Sequence, residues 1–393
     1  NFKIKKIKSG HKVYDWKMES EWNIKDAYVK DHTVKKIIDF KKNNLHLVGY
    51  SYPVDKKIKL KDLLKKIHTV PQLPDAIPYQ VSYYKKYWGF CTSLNHKKKI
   101  EKNYKEDDIF KVVINSRLKR GHLSYGELVI KGKSKQEILI STYICHPSLA
   151  NNELSGPIVS MSLINYFQKK KNLKTLRFIF IPETIGSITY LSENLSKLKK
   201  NLIGGFNLTC IGDDRAHSCM LSKYGNSQSD KALLETYRIK KIKFKKYSFL
   251  LRGSDERQFN SPGIDLPITS IFRSSYNGYK EYHTSLDNFD LVSIKGIKGG
   301  YEVAKSAIEI LQKKIIPNST YCCEPMLSKR KLHEEKITGY YNLKDIQNTL
   351  NLLHFLQYSD GTNSLEDIAN YIKLTYSTTL KIYRILHRNK LVY

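Results

Sequence analysis

The sequence predicts an α/β protein with a mainly parallel, mixed sheet covered by helices, a small inserted β domain, and a helical, winged-helix-like domain at the C-terminus. Three observations predict this architecture. Buried-type apolar runs alternate with helical segments over residues 135–315. Short alternating runs broken by turn residues dominate residues 1–130. Three short helical patterns with a tight turn occupy residues 320–393.

The central region contains the strands of the predicted parallel sheet. The runs EILISTYIC (137–145) and LRFIFIP (176–182) are almost continuously apolar, which is typical of strands buried on both faces. IGGFNLTCIG (203–212) and DLPITSIF (265–272) are two further strands of this kind. A helix is predicted over 156–170, and its apolar residues with helical spacing are Ile158, Met161, Ile164 and Phe167. Strands that alternate with helices favour a parallel sheet.

The N-terminal third reads as a mostly β unit. Its strand-like runs are FKIKKI, VYDWKM, HLVGYSY, FKVVINSRL and YGELVIKG. One helix, LKDLLKKI at 60–67, interrupts them. We therefore predict an α/β domain formed by 1–15 and 131–319, an inserted mostly-β domain at 16–130, and a winged-helix-like domain at 320–393.

The C-terminal region contains a helix at NLKDIQNTLNLLHFL (342–356), a turn at 360–363, a helix that starts with a Ser364–Asp367 cap, and a final helix. Winged helices often bind DNA, and basic side chains cluster here. However, no long basic wing follows the last helix. We therefore expect 320–393 to contact a protein partner or a second copy of the chain, and we regard nucleic acid as the less favoured partner.

Composition excludes some functional classes. The net charge of +31 arises from 68 Lys and Arg against 37 Asp and Glu, but Lys is spread along the whole chain, as in solvated surfaces. No apolar run approaches the roughly 20 residues of a membrane helix, and the N-terminus does not resemble a signal peptide. The six Cys form no CxxC pair, so we expect reduced thiols in a cytoplasmic protein.

Polar groups follow four of the predicted strands. His146 follows the first, Glu183 the second, Asp213 and Asp214 the third, and the segment containing His283 the fourth. Singly, each has an ordinary explanation as a loop histidine, a helix-cap partner or a surface residue. Because ligands bind beyond the carboxyl ends of strands in open α/β sheets, together they predict one site at which His146, Glu183 and His283 meet.

Four segments resemble the zinc aminopeptidases of the exopeptidase superfamily, and in the same order along the chain. They are HPSLANNELSGP (146–157), FIPETIGSITYL (180–191), GSDERQFNSPGIDLPI (253–268) and EYHTSLDNFDLV (281–292).

Three further segments resemble a narrower bacterial family of aminopeptidase-like proteins, which has an inserted β domain and a C-terminal winged helix. They are 15–31, 73–91 and CEPMLSKRKLH (323–333). This resemblance covers nearly the whole chain and suggests a context of surface-polysaccharide biosynthesis.

The resemblance implies a role for each matched position. His146 and His283 would be metal ligands, position 152 the metal-binding carboxylate, and Glu183 the general base on a metal-bound water. Zinc suits such ligands and brings the pKa of a bound water to about 7. The implied activity is a zinc-dependent, aminopeptidase-like hydrolase that acts on a small peptide or amide.

The chain departs from the two-zinc pattern at three positions, which are Asn152, Thr184 and Thr209 in place of acidic ligands. We therefore expect one zinc ion rather than two, with its occupancy in doubt because of Asn152; Glu183, Asp213 or a shifted Glu153 could assist. The alternatives are a non-peptidase member that binds or acts on a sugar-linked substrate, and a DNA-binding regulator.

Other residues of the matched motifs have expected roles. Asp255, Arg257 and Tyr282 could bind substrate or could simply stabilise their loops. Gly156 is expected to let the following helix pack against the sheet, and Ser155 to cap that helix.

Overall fold

The computed structural model describes residues 2–332 and 343–393, and the side chains of these except at 343–346. The predicted helix at 342–356 and the segment ending at His333 therefore begin or end outside the described residues. The strands found in the described part are β1 (Phe2–Lys8), β2 (Lys12–Val13), β3 (Trp16–Lys17), β4 (Glu21–Lys30), β5 (Lys36–Asp39), β6 (Val54–Lys59), β7 (Ile67–His68), β8 (Phe90–Cys91), β9 (Ile109–Lys119), β10 (His122–Ile130), β11 (Ser134–Tyr143), β12 (Lys174–Ile181), β13 (Leu202–Leu208), β14 (Ser218–Met220), β15 (Lys245–Tyr247) and β16 (Ile268–Phe272).

The α-helices of the same residues lie mostly in the central and C-terminal regions. They are α1 (Leu60–Leu64), α2 (Leu94–Asn103), α3 (Ser155–Phe167), α4 (Ile185–Asn201), α5 (Gln228–Ile239), α6 (Glu256–Phe259), α7 (Ile294–Lys313), α8 (Leu343–Gln357), α9 (Leu365–Tyr371) and α10 (Tyr376–Arg388). None of the described helices is long and apolar enough to span a membrane.

The largest sheet, which we call the main sheet, has eight strands within the described residues, in the order β1-β10-β12-β11-β13-β16-β14-β15. The central strands β12, β11, β13 and β16 run parallel, and β10 and β14 flank them antiparallel. Ile140 pairs with Phe178 on one side and with Phe206 on the other, so the middle of the sheet is apolar on neighbouring strands. The predicted mainly parallel, mixed sheet covered by helices is confirmed.

Glycine brings helix α3 close to the main sheet. A Cβ atom at Gly156 would overlap the Thr142 hydroxyl and the Leu208 carbonyl, so only glycine fits this position. The expectation for Gly156 therefore agrees with the structure. Half of the apolar set expected for α3 packs inward: Phe167 is buried and Ile164 packs against the core, whereas Ile158 is 44% exposed and Met161 62% exposed. Val159 and Leu163, which precede Phe167 at four-residue spacing, complete the face that packs against the core.

A second sheet of four strands within the described residues, the insert sheet, has the order β5-β4-β9-β6 and lies wholly within residues 21–119. Helices α1 and α2 accompany it, and α2 was not anticipated from the sequence. The run at 46–52 forms no regular strand. Strand β10 pairs with β1 and β12 and belongs to the main sheet. We therefore propose that the inserted domain ends near residue 120 and not at 130.

The C-terminal helices α8, α9 and α10 form their own apolar core, which includes Phe355, Leu365, Ile368 and Leu386. Helix α9 begins with a capping box in which the Ser364 hydroxyl and the Asp367 carboxylate accept each other's backbone N–H groups, as the sequence predicts. The Asp367 carboxylate also accepts hydrogen bonds from the side chains of Gln228 (2.7 Å) and Lys231 (2.6 Å) on α5, which joins this unit to the main domain.

Candidate functional site

The carboxyl ends of the parallel strands bring His146, Glu183 and His283 to one place. His146 follows β11, and Glu183 lies between β12 and α4. The His146 Nε2 atom lies 3.5 Å from Glu183 Oε2, and the His146 and His283 rings are 5.1 Å apart between centroids. The structure thus brings together the three side chains for which the sequence predicts a common site.

The backbone around these groups is held in an uncommon conformation. Ser148, Thr184 and His283 have φ values of 61°, 62° and 56°, in the left-handed region that residues other than glycine rarely occupy. Such geometry persists only where surrounding contacts enforce it, and it is concentrated at functional sites. It fixes where the His283 ring and the start of α4 point.

The His283 imidazole is partly buried, and one of its two nitrogen atoms is open to a ligand. Its Nε2 atom is buried and has no hydrogen-bond partner among the described residues. Burial, and secondarily the nearby His146, lower the pKa of His283 to about 3, so the ring is a neutral donor of electron pairs. The Tyr282 ring stacks on it with centroids 3.9 Å apart.

Burial also shapes the electrostatics of Glu183. Loss of solvent raises the pKa of Glu183 above its ordinary value, while His146 and the Ser254 hydroxyl lower it in part. A buried carboxylate of this kind is a stronger base than an exposed one, which suits proton abstraction near neutral pH.

The other edge of the His146 ring faces two groups from its own loop. Cys145 Sγ lies 3.2 Å and Glu153 Oε2 3.4 Å from His146 Nδ1. Glu153 Oε2 also accepts the backbone N–H of His146 at 2.7 Å. One ligand atom from each of these residues lies within 4.8 Å of the others, which is compact enough for a metal ion. The sequence pattern indicated Glu153 only as an assisting ligand and gave no signal for Cys145.

Asn152 is buried at the base of the site, with 1% of its surface exposed. Its Nδ2 atom donates to the Tyr143 hydroxyl, while its Oδ1 atom is buried without a partner in the described part of the chain. The backbone N–H groups of Asn151 (2.5 Å) and Asn152 (3.0 Å) donate to Asp287, which anchors this turn. Asp287 was missed, although it is the last acid of the EYHTSLD segment.

The two threonines at the other departures are already hydrogen-bonded to protein groups. The Thr209 hydroxyl donates to the Tyr143 hydroxyl, and the Thr184 hydroxyl accepts from Arg257. These neutral, occupied groups do not fit a second metal ion. His283 Nε2 and Asn152 Oδ1, by contrast, are buried without a hydrogen-bond partner in the described part of the chain.

Asp255 and Arg257 hold the start of α4. Asp255 Oδ1 accepts the Thr184 backbone N–H and the Ser187 hydroxyl, each at 2.8 Å. Burial and the neighbouring Glu183 raise the pKa of Asp255. These contacts support the loop-stabilising alternative, and the substrate-binding roles of both residues stay predictions.

Asp213 and Ser155 have structural roles at the edge of the site. Asp213 accepts the Ser274 backbone N–H (2.8 Å) and hydroxyl (2.7 Å) and is not directed at His146 as a ligand. The Ser155 hydroxyl donates to Asn151 O and accepts the Ile211 N–H, and α3 has no side-chain cap, so the expected capping role of Ser155 is wrong. A π-helical turn at Ala150–Leu154 precedes α3 and takes the place of a capped start.

The inserted domain contributes Tyr79 to the site. The Tyr79 ring lies 5.3 Å from that of His146 and 5.1 Å from that of His283. Its backbone N–H donates to His283 O at 2.8 Å, and Ile77 exchanges two hydrogen bonds with Ser285. Sequence analysis missed Tyr79, because nothing local connects residue 79 with residue 283.

Comparison with known proteins places these features in a family context. Residues 1–314 match the family model described as "Domain of unknown function (DUF4910)", and residues 314–393 match a winged helix-turn-helix model. A Clostridium acetobutylicum protein with the provisional name of polysaccharide biosynthesis protein with aminopeptidase-like domain is 41% identical over 372 residues, which cover 93% of this chain and 82% of that protein.

The chain is also similar to solved structures. The crystal structure of a provisionally named peptidase from Clostridium acetobutylicum has a TM-score of 0.77 and 38% identity, covering 100% of this chain and 88% of the other. The zinc aminopeptidase BSAP of Bacillus subtilis has a TM-score of 0.56 and 13% identity, covering 78% of this chain and 84% of the other. The second likeness concerns the fold.

Proposed function

The chain belongs to the DUF4910 family, and from that premise we propose that it is a metal-dependent hydrolase of the aminopeptidase type with Glu183 as the general base. One observation carries the proposal. The buried Glu183 carboxylate lies 3.5 Å from His146 Nε2, at a site where the Nε2 atom of His283 is buried and finds no partner among the described residues.

The proposed metal is a single zinc ion. Its ligands would be His146, His283 and Asn152, which occupy the metal-ligand positions of the aminopeptidase motifs. Zinc, when bound, would polarise a carbonyl and make a water molecule acidic near neutral pH. Asn152 offers a neutral amide oxygen in place of a carboxylate, and its free Oδ1 atom is the reason for keeping it in this set.

The proton transfers fall to Glu183. Its carboxylate would take a proton from the attacking water and pass it to the leaving amine. Because burial raises the pKa of Glu183, the protonated form needed for the second transfer is less costly than it would be at an exposed glutamate.

The substrate is proposed to be a small peptide or another small amide. Tyr79 from the inserted domain and Tyr282 flank the two histidines and narrow the space above them. A narrow site suits substrates with a short end at the reacting bond. Asp255 and Arg257 would act mainly by holding the Thr184 loop next to it.

A second candidate is an enzyme or binding protein for a sugar-linked substrate in surface-polysaccharide biosynthesis. The observation that favours it is the provisional name of the Clostridium acetobutylicum relative, which is 41% identical. Testing peptide anilides beside N-acylated amino sugars separates the two, because only one class should be consumed.

The winged helix is proposed to contact a protein partner or a second copy of the chain. Helix α10 exposes aromatic, apolar and basic side chains at different positions around its axis, among them Tyr376, Ile385 and Arg388. The alternative of a DNA-binding regulator predicts binding to duplex DNA that weakens steeply with salt. Light scattering and fluorescence anisotropy with a labelled duplex distinguish these roles.

The decisive test of the proposed function compares wild type with Glu183→Gln. We expect bound zinc in both, and hydrolysis of aminoacyl anilides in the wild type alone. Glu309→Gln is a matched control, since Glu309 is bonded to the Tyr166 hydroxyl (2.6 Å) outside the site. Absence of metal, together with equal rates for wild type and Glu183→Gln, would sink the proposal.

A further inference from the structure

The His146 imidazole presents two edges with different surroundings. The Nε2 atom lies 3.5 Å from Glu183 Oε2, and the His283 ring lies 5.1 Å from the His146 ring between centroids. The Nδ1 edge faces Cys145 Sγ at 3.2 Å and Glu153 Oε2 at 3.4 Å. Separations of this size suit ligand atoms that surround a tetrahedral ion, for which metal bonds to nitrogen and sulfur are about 2.0–2.3 Å long.

Charge favours the Nδ1 edge. A divalent cation held by the ligands of the proposed function would meet two neutral imidazoles and a neutral amide, because the Glu183 carboxylate has to remain free as a base. A buried cation without anionic ligands is strongly disfavoured. On the Nδ1 edge Glu153 supplies one negative charge, and a thiolate at Cys145 would supply another, so a doubly charged ion would be neutralised.

Burial is compatible with this arrangement. The side chains of His146 and Glu153 are 7% and 12% exposed, so a bound ion would be largely shielded from water. All three groups come from residues 145–153, which connect β11 to α3. An ion held by them would therefore tie that connection together beside Glu183.

We propose that Cys145, His146 Nδ1 and Glu153 form a three-ligand site for a soft divalent cation, with Glu153 replacing the charge that is missing at position 152. Binding replaces the S–H bond of Cys145 by a metal–sulfur bond and releases the thiol proton to solvent. His146 then carries its own proton on Nε2, facing Glu183. An ion at Nδ1 and the zinc ion of the proposed function at Nε2 exclude each other, so this inference rests on the proposed function only in placing a metal ion at His146 and assigns that ion other ligands.

The test uses full-length chain with the exposed Cys322 and Cys323 replaced by Ser, because adjacent exposed thiols would compete for metal. Titration with Co²⁺ is expected to produce a near-ultraviolet thiolate charge-transfer band. Cys145→Ser should abolish the band, and both Cys145→Ser and Glu153→Gln should weaken binding by about tenfold or more. His283→Gln should change the affinity little.

A second readout does not depend on a variant at Cys145 folding correctly. Cadmium bound to the parent protein should give an NMR resonance shifted towards that of sulfur ligation. Cobalt binding without the charge-transfer band, retained in Cys145→Ser and lost in His283→Gln, would overturn this inference and leave the proposed function standing. Failure of the parent protein to bind Co²⁺ or Cd²⁺ would overturn it as well.

Discussion

Restoring an acid at position 152 should destabilise the metal-free protein, and zinc should recover most of that loss. Asn152 is 1% exposed, its Nδ2 atom donates to the Tyr143 hydroxyl, and its backbone N–H already lies on the Asp287 carboxylate. Asn152→Asp removes that donor and places a second carboxyl group beside Asp287. The lost hydrogen bond and the buried, poorly partnered oxygen together cost about 2–4 kcal/mol.

In chelator, Asn152→Asp should therefore unfold at a lower temperature than the wild type, by about 2 °C or more for each kcal/mol. In zinc this deficit should shrink, because an acid completes a charged ligand set with His146 and His283. A hundredfold gain in affinity corresponds to about 2.7 kcal/mol of stabilisation at saturating metal, enough to offset most of the cost.

Thermal unfolding in chelator and in excess zinc, combined with metal titration, measures both effects. Asn172→Asp is the matched control: Asn172 is 7% exposed and donates to Phe167 O at 2.9 Å, away from the site, so zinc should not rescue it. Cys145→Ser combined with Asn152→Asp should bind metal that Cys145→Ser alone binds poorly. Equal stability of Asn152→Asp and wild type in chelator, or no binding by the double variant, would refute this reasoning.

Three further predictions address the base, the thiol and a buried ion network. Glu183→Gln should lower kcat/KM by about 10²–10⁴-fold with an unchanged unfolding midpoint. Because the base acts deprotonated and burial raises the pKa of Glu183, the wild-type rate should fall as pH decreases, with a midpoint above that of an exposed glutamate. A flat pH profile would contradict this assignment. Burial raises the pKa of the Cys145 thiol, so metal binding must release its proton. A plot of log metal affinity against pH should therefore be steeper for the parent protein than for Cys145→Ser, by about one unit per pH unit. Equal slopes would exclude a thiolate ligand. Arg177→Met should lower the free energy of unfolding by about 3–5 kcal/mol in urea denaturation, because it leaves Glu137, which Arg177 contacts at 2.6 and 2.8 Å, and Glu127 without this cation. Replacing Glu137 by Gln as well should recover part of this loss. A loss below about 1 kcal/mol would show that water reaches the ion pair.

The sequence by itself determined the framework of the site. Strands such as β12, all of whose residues are buried, are visible as continuous apolar runs, because a strand covered on both faces has no polar side. The polar residues that follow such strands then share one edge of the sheet. This is why His146, Glu183 and His283 could be grouped before their distances were known. Gly156 could be assigned to close packing for a different reason, since only a residue without a side chain lets a helix approach the sheet so closely.

Only the tertiary structure decided which face of α3 is buried and which strands pair with β10. Spacing identified the apolar residues of α3 but not the face that meets the sheet, and the choice between Met161 and Leu163 depends on neighbours distant in the chain. In the same way, β10 joined the main sheet because β1 and β12 offered it two pairing edges.

The same holds for the chemistry. The sequence shows that position 152 carries Asn in place of an acidic residue. Only the folded structure shows that the Glu153 carboxylate faces His146 and that Tyr79 of the inserted domain lies beside it. Local patterns report backbone conformation and burial, whereas hydrogen bonds and ligand clusters depend on distances between segments that no spacing rule encodes. The strand ends located the site, and the packed structure determined that Glu153 faces Nδ1 of His146 while Glu183 faces Nε2.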